Sequence, residues 1–552
     1  PQLDIFTAPS MQLGSRASKK YSDPNAWHNQ FYSLVTTKIN EEIFKPLFPE
    51  GKKCGRPNAS IRILVAMSAL KEGFGCSDED LFEKCEFDLL TRKALGMELL
   101  TDVTPSIDTY YLFRRRICEY QERTDIDLMQ LCFEQLAGNQ VRLLKISGKC
   151  VRMDSKLIGS NIARQSRYEL IHTTLVKFLK TCTLSDLSPE QEERAKEYLK
   201  EDSSKTVYRS DSDTLQSNLA RIGNFIMEML ATFPATSPAH DLLQRLFDEQ
   251  YAVKDGKAVL RDKKEVKADS LQNPNDPDAT YRAKNDQKVQ GYVTNITETV
   301  EEGKPNIITS VQVETAVFAD CHFLQEAVEN SERVTDSTIE DLYADGAYQS
   351  PDNREFAKNH NAMQLKTGKM QGGCRWELIP HDEDGLTIRE IATGNTYEAV
   401  KAVTKQGSRK RWRIPWNNKT GWRYFEDKDI KAYQLRKQIE SLPLEEQHKR
   451  NNVEAAMFQY SFHTRKGKTR YRGLLKHRMH AYSRCMWMNL RRMVIFQIST
   501  FQRSIFALFG PIREAFGSFK AISRKIFTSG ADCYVSLRMT ILVRQDSKYA
   551  PF

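Results

Sequence analysis

Val151-Arg152-Met153-Asp154-Ser155-Lys156-Leu157-Ile158 is the stretch on which the fold turns. Apolar Val151 and Met153 alternate with Arg152, Asp154 and Lys156, a period of two that predicts a strand with one polar face. Before it, residues 27–139 have helical spacing, in Ile61-Arg62-Ile63-Leu64-Val65-Ala66-Met67-Ser68-Ala69-Leu70 and again through 81–95, with Gly73, Gly75 and Gly96 as natural stops. Ser77 precedes Asp78, Glu79 and Asp80, and Ser106 precedes Tyr110-Tyr111-Leu112-Phe113-Arg114-Arg115-Arg116. A hydroxyl that accepts from free helix N–H groups marks a helix start, and acids in the first turn reinforce it. Residues 1–140 thus read as a compact all-helical module of helix-turn-helix size.

Beyond the strand, residues 162–250 return to helical spacing, broken at 185–189 and 234–238, and Asn273-Pro274-Asn275-Asp276-Pro277-Asp278 is a turn cluster. Residues 290–300 and 307–317 are β-branched runs joined by Glu301-Glu302-Gly303-Lys304-Pro305, the pattern of an antiparallel hairpin. A helix at 324–333, a strand at 339–344, a helix at 351–360 and a strand at 363–366 follow. This order predicts an α/β fold, a mixed sheet with helices packed on it. Residues 374–428 are strand-like, basic and hold four of the six tryptophans, Trp376, Trp412, Trp416 and Trp422. The expected organisation is a helical domain at 1–140, a catalytic domain at 141–495 with a helical insertion at about 160–275 and a β-rich insertion at about 374–428, and a basic segment at 496–552.

At 552 residues the chain exceeds what one core serves, since domains run roughly 100 to 200 residues. Its 40% hydrophobic and 28% charged residues exclude a fibrous chain and wholesale disorder. The eleven cysteines are odd in number and scattered without a C-x-x-C pair, so neither a disulfide framework nor a zinc knuckle is indicated and a reducing cytosol is expected. Pro1-Gln2-Leu3-Asp4 carries no basic-then-apolar leader, and the late apolar stretch 494–509 is broken by Arg503, so neither secretion nor a membrane span is expected. Charge is unevenly placed. Residues 401–552 hold 32 Lys and Arg against 10 Asp and Glu, a balance of +22, so the first 400 residues carry 10 − 22 = −12. A localised basic excess is the footprint of a polyanionic partner.

Three acids stand where a sheet-based site needs them. Asp154 is on the polar face of the first strand, Asp345 closes Leu342-Tyr343-Ala344-Asp345 ahead of Gly346, and Glu454 follows Arg450 on a helix. Converging carboxylates hold divalent cations that activate a water or a 3′-hydroxyl and stabilise the departing oxygen in phosphodiester displacement. Hard oxygen donors suit that chemistry and thiolates do not. Any single acid among 72 is more often a solvated surface group, so sequence context has to carry the case.

That context is a resemblance. Val151 to Ala163 with Arg167-Tyr168-Glu169-Leu170-Ile171 closely resembles the first-aspartate block of bacterial insertion-sequence DDE transposases. Leu342-Tyr343-Ala344-Asp345-Gly346-Ala347-Tyr348 resembles their second block, Arg450-Asn451-Asn452-Val453-Glu454 their third, and Asp276-Pro277-Asp278-Ala279 also matches. Gly55-Arg56-Pro57, Gly75-Cys76-Ser77-Asp78-Glu79-Asp80-Leu81 and Pro105-Ser106-Ile107-Asp108-Thr109-Tyr110 are similar to the helical domain these enzymes carry. The resemblance implies an RNase H-like catalytic domain in which Asp154, Asp345 and Glu454 bind two Mg2+ ions, with Mn2+ as a substitute. Where the family often has a tyrosine before the arginine and a lysine after the glutamate, this chain has Gln447 and Ser461, and Lys466 or Lys468 is the candidate for the lysine's phosphate contact.

Other features take two readings each. The acid-free run 464–478 supplies Lys466, Lys468, Arg470, Arg472, Lys476 and Arg478 as DNA contacts, alongside Arg450 and Arg114; the alternative is a solvated charged face. Trp412 and Trp416 can stack an extruded base, but a core role in the β-rich insertion is placed ahead for any one tryptophan. Ser155 and Lys156 read as supporting groups, not nucleophiles. The function implied is that of a DNA transposase, cytoplasmic and nucleoid-associated in a bacterium. It binds double-stranded DNA at the element's terminal inverted repeats, cleaves the ends and joins the 3′-hydroxyls to target DNA as a homodimer in a paired-end complex, with no membrane partner. The rivals are a nuclease of the same fold without strand transfer and a domesticated, non-catalytic DNA-binding protein.

Overall fold

The computed structural model describes residues 8–48, 59–234, 237–284, 287–367, 374–381, 385–402, 411–416, 421–441, 443, 446, 449 and 453–515. Helices and a mixed set of parallel and antiparallel strands make the chain α/β. It divides into two compact units, Pro1–Gly148, Ser155–Ser337 and Ala456–Phe552 in the first, Lys149–Asp154 and Thr338–Ala455 in the second.

The first unit begins with the expected helices, among them Ile61–Phe74, Asp78–Phe87, Leu89–Leu95, Ile107–Thr124 and Leu128–Leu144. Ser77 and Asp80 form a reciprocal capping box, Ser106 accepts from the Thr109 N–H, and Gly75 ends its helix at φ 66°. The helix Ile61–Phe74 packs on the long helix Leu474–Ala515. Their contact centres on Trp487, whose ring lies 5.3 Å from Phe74 and 6.1 Å from Phe31. Gly73 is required there, because a Cβ would lie 2.3 Å from the indole. The amino-terminal helices and the late helix therefore share one core.

A helical cluster, Arg167–Leu179, Pro189–Lys200, Ser203–Arg209, Ser212–Thr232 and Pro238–Gln250, closes over Phe178, Phe225, Leu243 and Leu246. Its last helix runs into an unforeseen hairpin of β2 (Tyr251–Lys254) and β3 (Lys257–Leu260), turning at Asp255 (φ 50°) and Gly256 (φ 71°). Positive φ at both central residues is the tight hairpin turn that Asp-Gly favours. β1 (Cys150–Gly159) comes before this cluster, and β4 (Thr280–Lys284), β5 (Gln287–Thr299) and β6 (Ile308–Thr315) follow it in antiparallel succession. β5 lies close to the second half of β1, where a Cβ on Gly291 would meet the Ile158 carbonyl oxygen at 2.4 Å.

In the second unit the first half of β1 pairs in parallel with β7 (Asp341–Ala344), and β7 with β8 (Gln364–Thr367), the helix Pro351–Asn359 making the crossover. Two small antiparallel sheets follow, β9 (Trp376–His381), β10 (Gly385–Glu390) and β11 (Thr396–Glu398), then β12 (Val400–Ala402), β13 (Arg411–Trp416) and β14 (Gly421–Glu426). Trp376, Leu378, Ile388, Trp412, Ile414 and Phe425 form their common core, joined by Ile430 of the helix Asp427–Glu440.

Candidate active site and basic groove

β1 and β7 pair with Cys150 opposite Asp341, Val151 opposite Leu342 and Arg152 opposite Tyr343. Two residues beyond the end of this register stand Asp154, within β1, and Asp345, just past the end of β7. Asp345 keeps an extended backbone, and its carboxylate accepts from the Gly346 N–H at 2.5 Å, capping the short turn Gly346–Tyr348. Both aspartates are half-buried, whereas Glu454, in the first turn of the helix Val453–Ser461, is exposed.

The polar face of β1 also positions the segment that leads to Glu454. Arg152, buried, donates from Nη1 to the Lys449 carbonyl oxygen at 2.8 Å. Its register partner Tyr343 donates to the Glu446 carboxylate. Lys366, opposite Tyr343 on β8, reaches Asp341 at 2.8 Å and Glu446 at 3.7 Å, and Glu446 is further paired with Lys449. Burial opposes the Glu446 charge, but Lys449, Tyr343 and Lys366 outweigh it and hold its pKa below the ordinary value. Burial and the same carboxylate push the Tyr343 phenol up. Side chains on three neighbouring parallel strands thus fasten residues 446 and 449 to the sheet shortly before Glu454. Sequence reasoning passed over Arg152, Tyr343, Lys366 and Glu446, whose partners are distant in the chain.

Asp154 and Asp345 have the donor chemistry a hard divalent cation needs. Among the described residues, however, no group of three or more His, Cys, Asp or Glu side chains is arranged to hold a metal ion, so Glu454 is not gathered with the pair here. Arg450 lies outside the described residues. Lys156, two residues past Asp154 on β1, donates from Nζ to Ser461 Oγ at 2.7 Å. Of the two lysines expected in place of the absent family lysine, Lys468 donates to the Ile162 carbonyl oxygen at 2.7 Å and Lys466 is exposed at a turn with φ 52°.

In the first unit the basic run is laid along the end of β1, with Gly159 N–H donating to Gly467 O at 2.8 Å, Thr469 N–H to Gly159 O at 3.0 Å and Asn161 N–H to Tyr471 O at 3.0 Å. This brings Arg470, Arg472 and Lys476 together with Arg114 and Arg115 of the helix Ile107–Thr124 around a groove of about 860 Å3. The Arg114 guanidinium lies 5.4 Å from the Tyr110 ring and 5.1 Å from the Tyr471 ring. Tyr471 donates to half-buried Glu72, whose other oxygen meets His480 Nδ1 at 2.7 Å. Burial opposes the Glu72 charge, but His480, Lys71 and Tyr471 prevail and hold its pKa at about 2. This network ties the basic run to the amino-terminal helices. Arg478 points elsewhere, donating to Val313 O at 3.2 Å and pairing with Glu314 at 2.5 Å.

Of the two readings offered for Trp412, stacking and core, the structure favours the core role placed ahead: the ring is 4% exposed and packed in the core of the second unit. On β13, Arg411 and Arg413 face outward instead, over the rings of Tyr424 (3.9 Å) and Trp422 (4.2 Å). Trp416 ends the same strand.

No curated protein and no solved structure matches the chain. Residues 20–116 match the family model described as a transposase domain (DUF772). They take in the capped helices described above and reach into the helix that lines the groove. This similarity to a transposase domain supports the resemblance of the chain to the insertion-sequence transposases.

Proposed function

We propose that the chain is a DNA transposase with an RNase H-like catalytic unit, which binds the terminal inverted repeats of its own element, cleaves the ends and joins the freed 3′-hydroxyls to target DNA. The observation that carries this reading is the parallel register of β1 and β7, which supports Asp154 and Asp345 as a carboxylate pair, taken together with the transposase domain at 20–116. Glu454 is the proposed third carboxylate. Two Mg2+ ions, or Mn2+ in their place, would be held by Asp154, Asp345 and Glu454 and would activate the attacking water or 3′-hydroxyl and stabilise the departing oxygen. Arg152, Tyr343 and Lys366 hold the segment ahead of Glu454, and Lys156 offers an ammonium to a phosphate. Arg114, Arg470, Arg472 and Lys476 offset backbone charge, and Arg450, Lys466 and Trp416 are further proposed DNA contacts. Lys468 and Arg478 spend donors within the chain, so their proposed contribution is mainly to field strength. Pairing two ends calls for a second copy of the chain.

The test is incubation of the full chain with DNA carrying the element's ends, a target plasmid and Mg2+. Nicked ends together with joined product support the reading, nicks without joining favour a nuclease, and binding without either favours a non-catalytic DNA-binding protein.

A further inference from the structure

The groove between the helix Ile107–Thr124 and residues 470–476 is lined by five cations, Arg114, Arg115, Arg470, Arg472 and Lys476, against the acids Asp78 and Asp108. Asp78 is already engaged, pairing with Lys71 at 2.5 Å and accepting from the Tyr111 hydroxyl at 3.1 Å. Two of the arginines are held by uncharged carbonyls, and a third, Arg114, also feels the charges of Glu72 and Asp78. Arg470 donates to the Gly75 carbonyl oxygen at 2.8 Å, Arg472 to the Asn161 carbonyl oxygen at 2.7 Å, and Arg114 sits between two tyrosine rings. Arg115 pairs with Glu119 at 3.6 Å, but both side chains are more than 60% exposed, so that pair is weak. A carbonyl fixes a guanidinium without neutralising it and uses few of its five N–H donors. A solvated charged face would show neither the anchoring nor the convergence of two walls.

We infer that this groove seats the phosphodiester backbone of duplex DNA, gripped jointly by the transposase domain's helix and the basic segment. The inference rests on the reading of the chain as an enzyme acting on DNA. Anchored cations lose little conformational freedom on meeting phosphates, and each phosphate neutralised releases counterions. Residues as far apart in sequence as Arg115 and Arg472 then act in one binding event, and neither region is a self-sufficient DNA-binding module.

The test is fluorescence anisotropy of the full chain with a short labelled duplex of random sequence, over a range of salt. Arg115→Gln, Arg472→Gln and Lys476→Gln are each expected to weaken binding roughly three- to tenfold, with the log–log salt slope falling by about 0.9 for each phosphate left without its cation. Arg472→Lys should keep most of the slope, and Lys205→Gln, at an exposed position in the helical insertion, should change nothing. Wild-type affinity and slope in all three glutamine variants would overturn the groove while leaving the proposed function standing. A full chain that binds no duplex at low salt would overturn both.

Discussion

Arg152 and Lys449 stand 297 residues apart and are joined by one hydrogen bond, from the guanidinium Nη1 to the carbonyl oxygen at 2.8 Å. The donor is buried on the strand that carries Asp154, and the acceptor belongs to the segment that leads to Glu454. A buried charged donor with a fixed acceptor is worth roughly 1.5–3 kcal/mol, and its loss also frees the segment it holds. Arg152→Lys keeps the charge but loses the planar fork. DNA cleavage by this variant should fall roughly tenfold, about 1.4 kcal/mol, with duplex affinity unchanged. Equal losses of binding and cleavage would deny Arg152 a positioning role.

Lys156 should matter more than Lys468 for chemistry at the DNA end. Its ammonium meets the Ser461 hydroxyl, whereas Lys468 is committed to the Ile162 carbonyl. Lys156→Met is expected to lower cleavage roughly tenfold or more, while Ser461→Ala, which leaves the ammonium, costs less than about threefold. The reverse order, read from single-turnover rates on one DNA substrate, would return the phosphate contact to the carboxy-terminal run.

Trp412 belongs to a core, so its replacement should act through the fold. Trp412→Ala is expected to destabilise by about 3–5 kcal/mol, with activity lost in step with folded protein. Trp422→Ala, at a 47% exposed position, should leave the unfolding temperature nearly unchanged. Unfolding curves of the two variants side by side check this.

Stability should fall on mild acidification. Burial lowers the pKa of His477 from 6.5 to about 4, and burial with Arg484 does the same for His463. Because the folded values lie below the unfolded one, both contributions are complete above pH 6.5 and are lost as pH falls toward 4, by roughly 1–3 kcal/mol for each imidazole. Glu72, with a folded value of about 2, removes further stability between its ordinary 4.5 and 2. The unfolding temperature should be level above pH 6.5 and decline below it, less steeply in His463→Gln; a level profile down to about pH 4.5 would contradict this.

Much of the local structure was legible because it is encoded locally. The alternation at Val151 and Met153, the capping serines and the β-branched runs either side of Gly303 each give their element directly. One legible signal was passed over, since Asp255-Gly256 between alternating residues is a hairpin turn, whereas the strand-like reading of 374–428 was itself legible at Arg411-Trp412-Arg413-Ile414, whose period buries the tryptophan. What the sequence could not yield was pairing at a distance. Nothing local tells Arg478, paired with Glu314, from Arg472, which lines the groove, or shows that Arg152 is tied to Lys449. Sharing of one core by residues near 73 and 487 likewise depends on tertiary packing, so the basic run could not be seen to be fastened to the transposase domain.

The central claim is that Asp154, Asp345 and Glu454 act together on the phosphodiester bond. Its most direct measurement is Mg2+-dependent cleavage of an end-bearing DNA by Asp154→Asn, Asp345→Asn and Glu454→Gln, with duplex affinity and unfolding temperature recorded on the same preparations. The account predicts that each variant cleaves roughly a thousandfold more slowly or worse, about 4 kcal/mol of transition-state stabilisation, while binding DNA within about twofold of the wild-type chain. A variant at any of the three positions that stays folded and cleaves near the wild-type rate would contradict it.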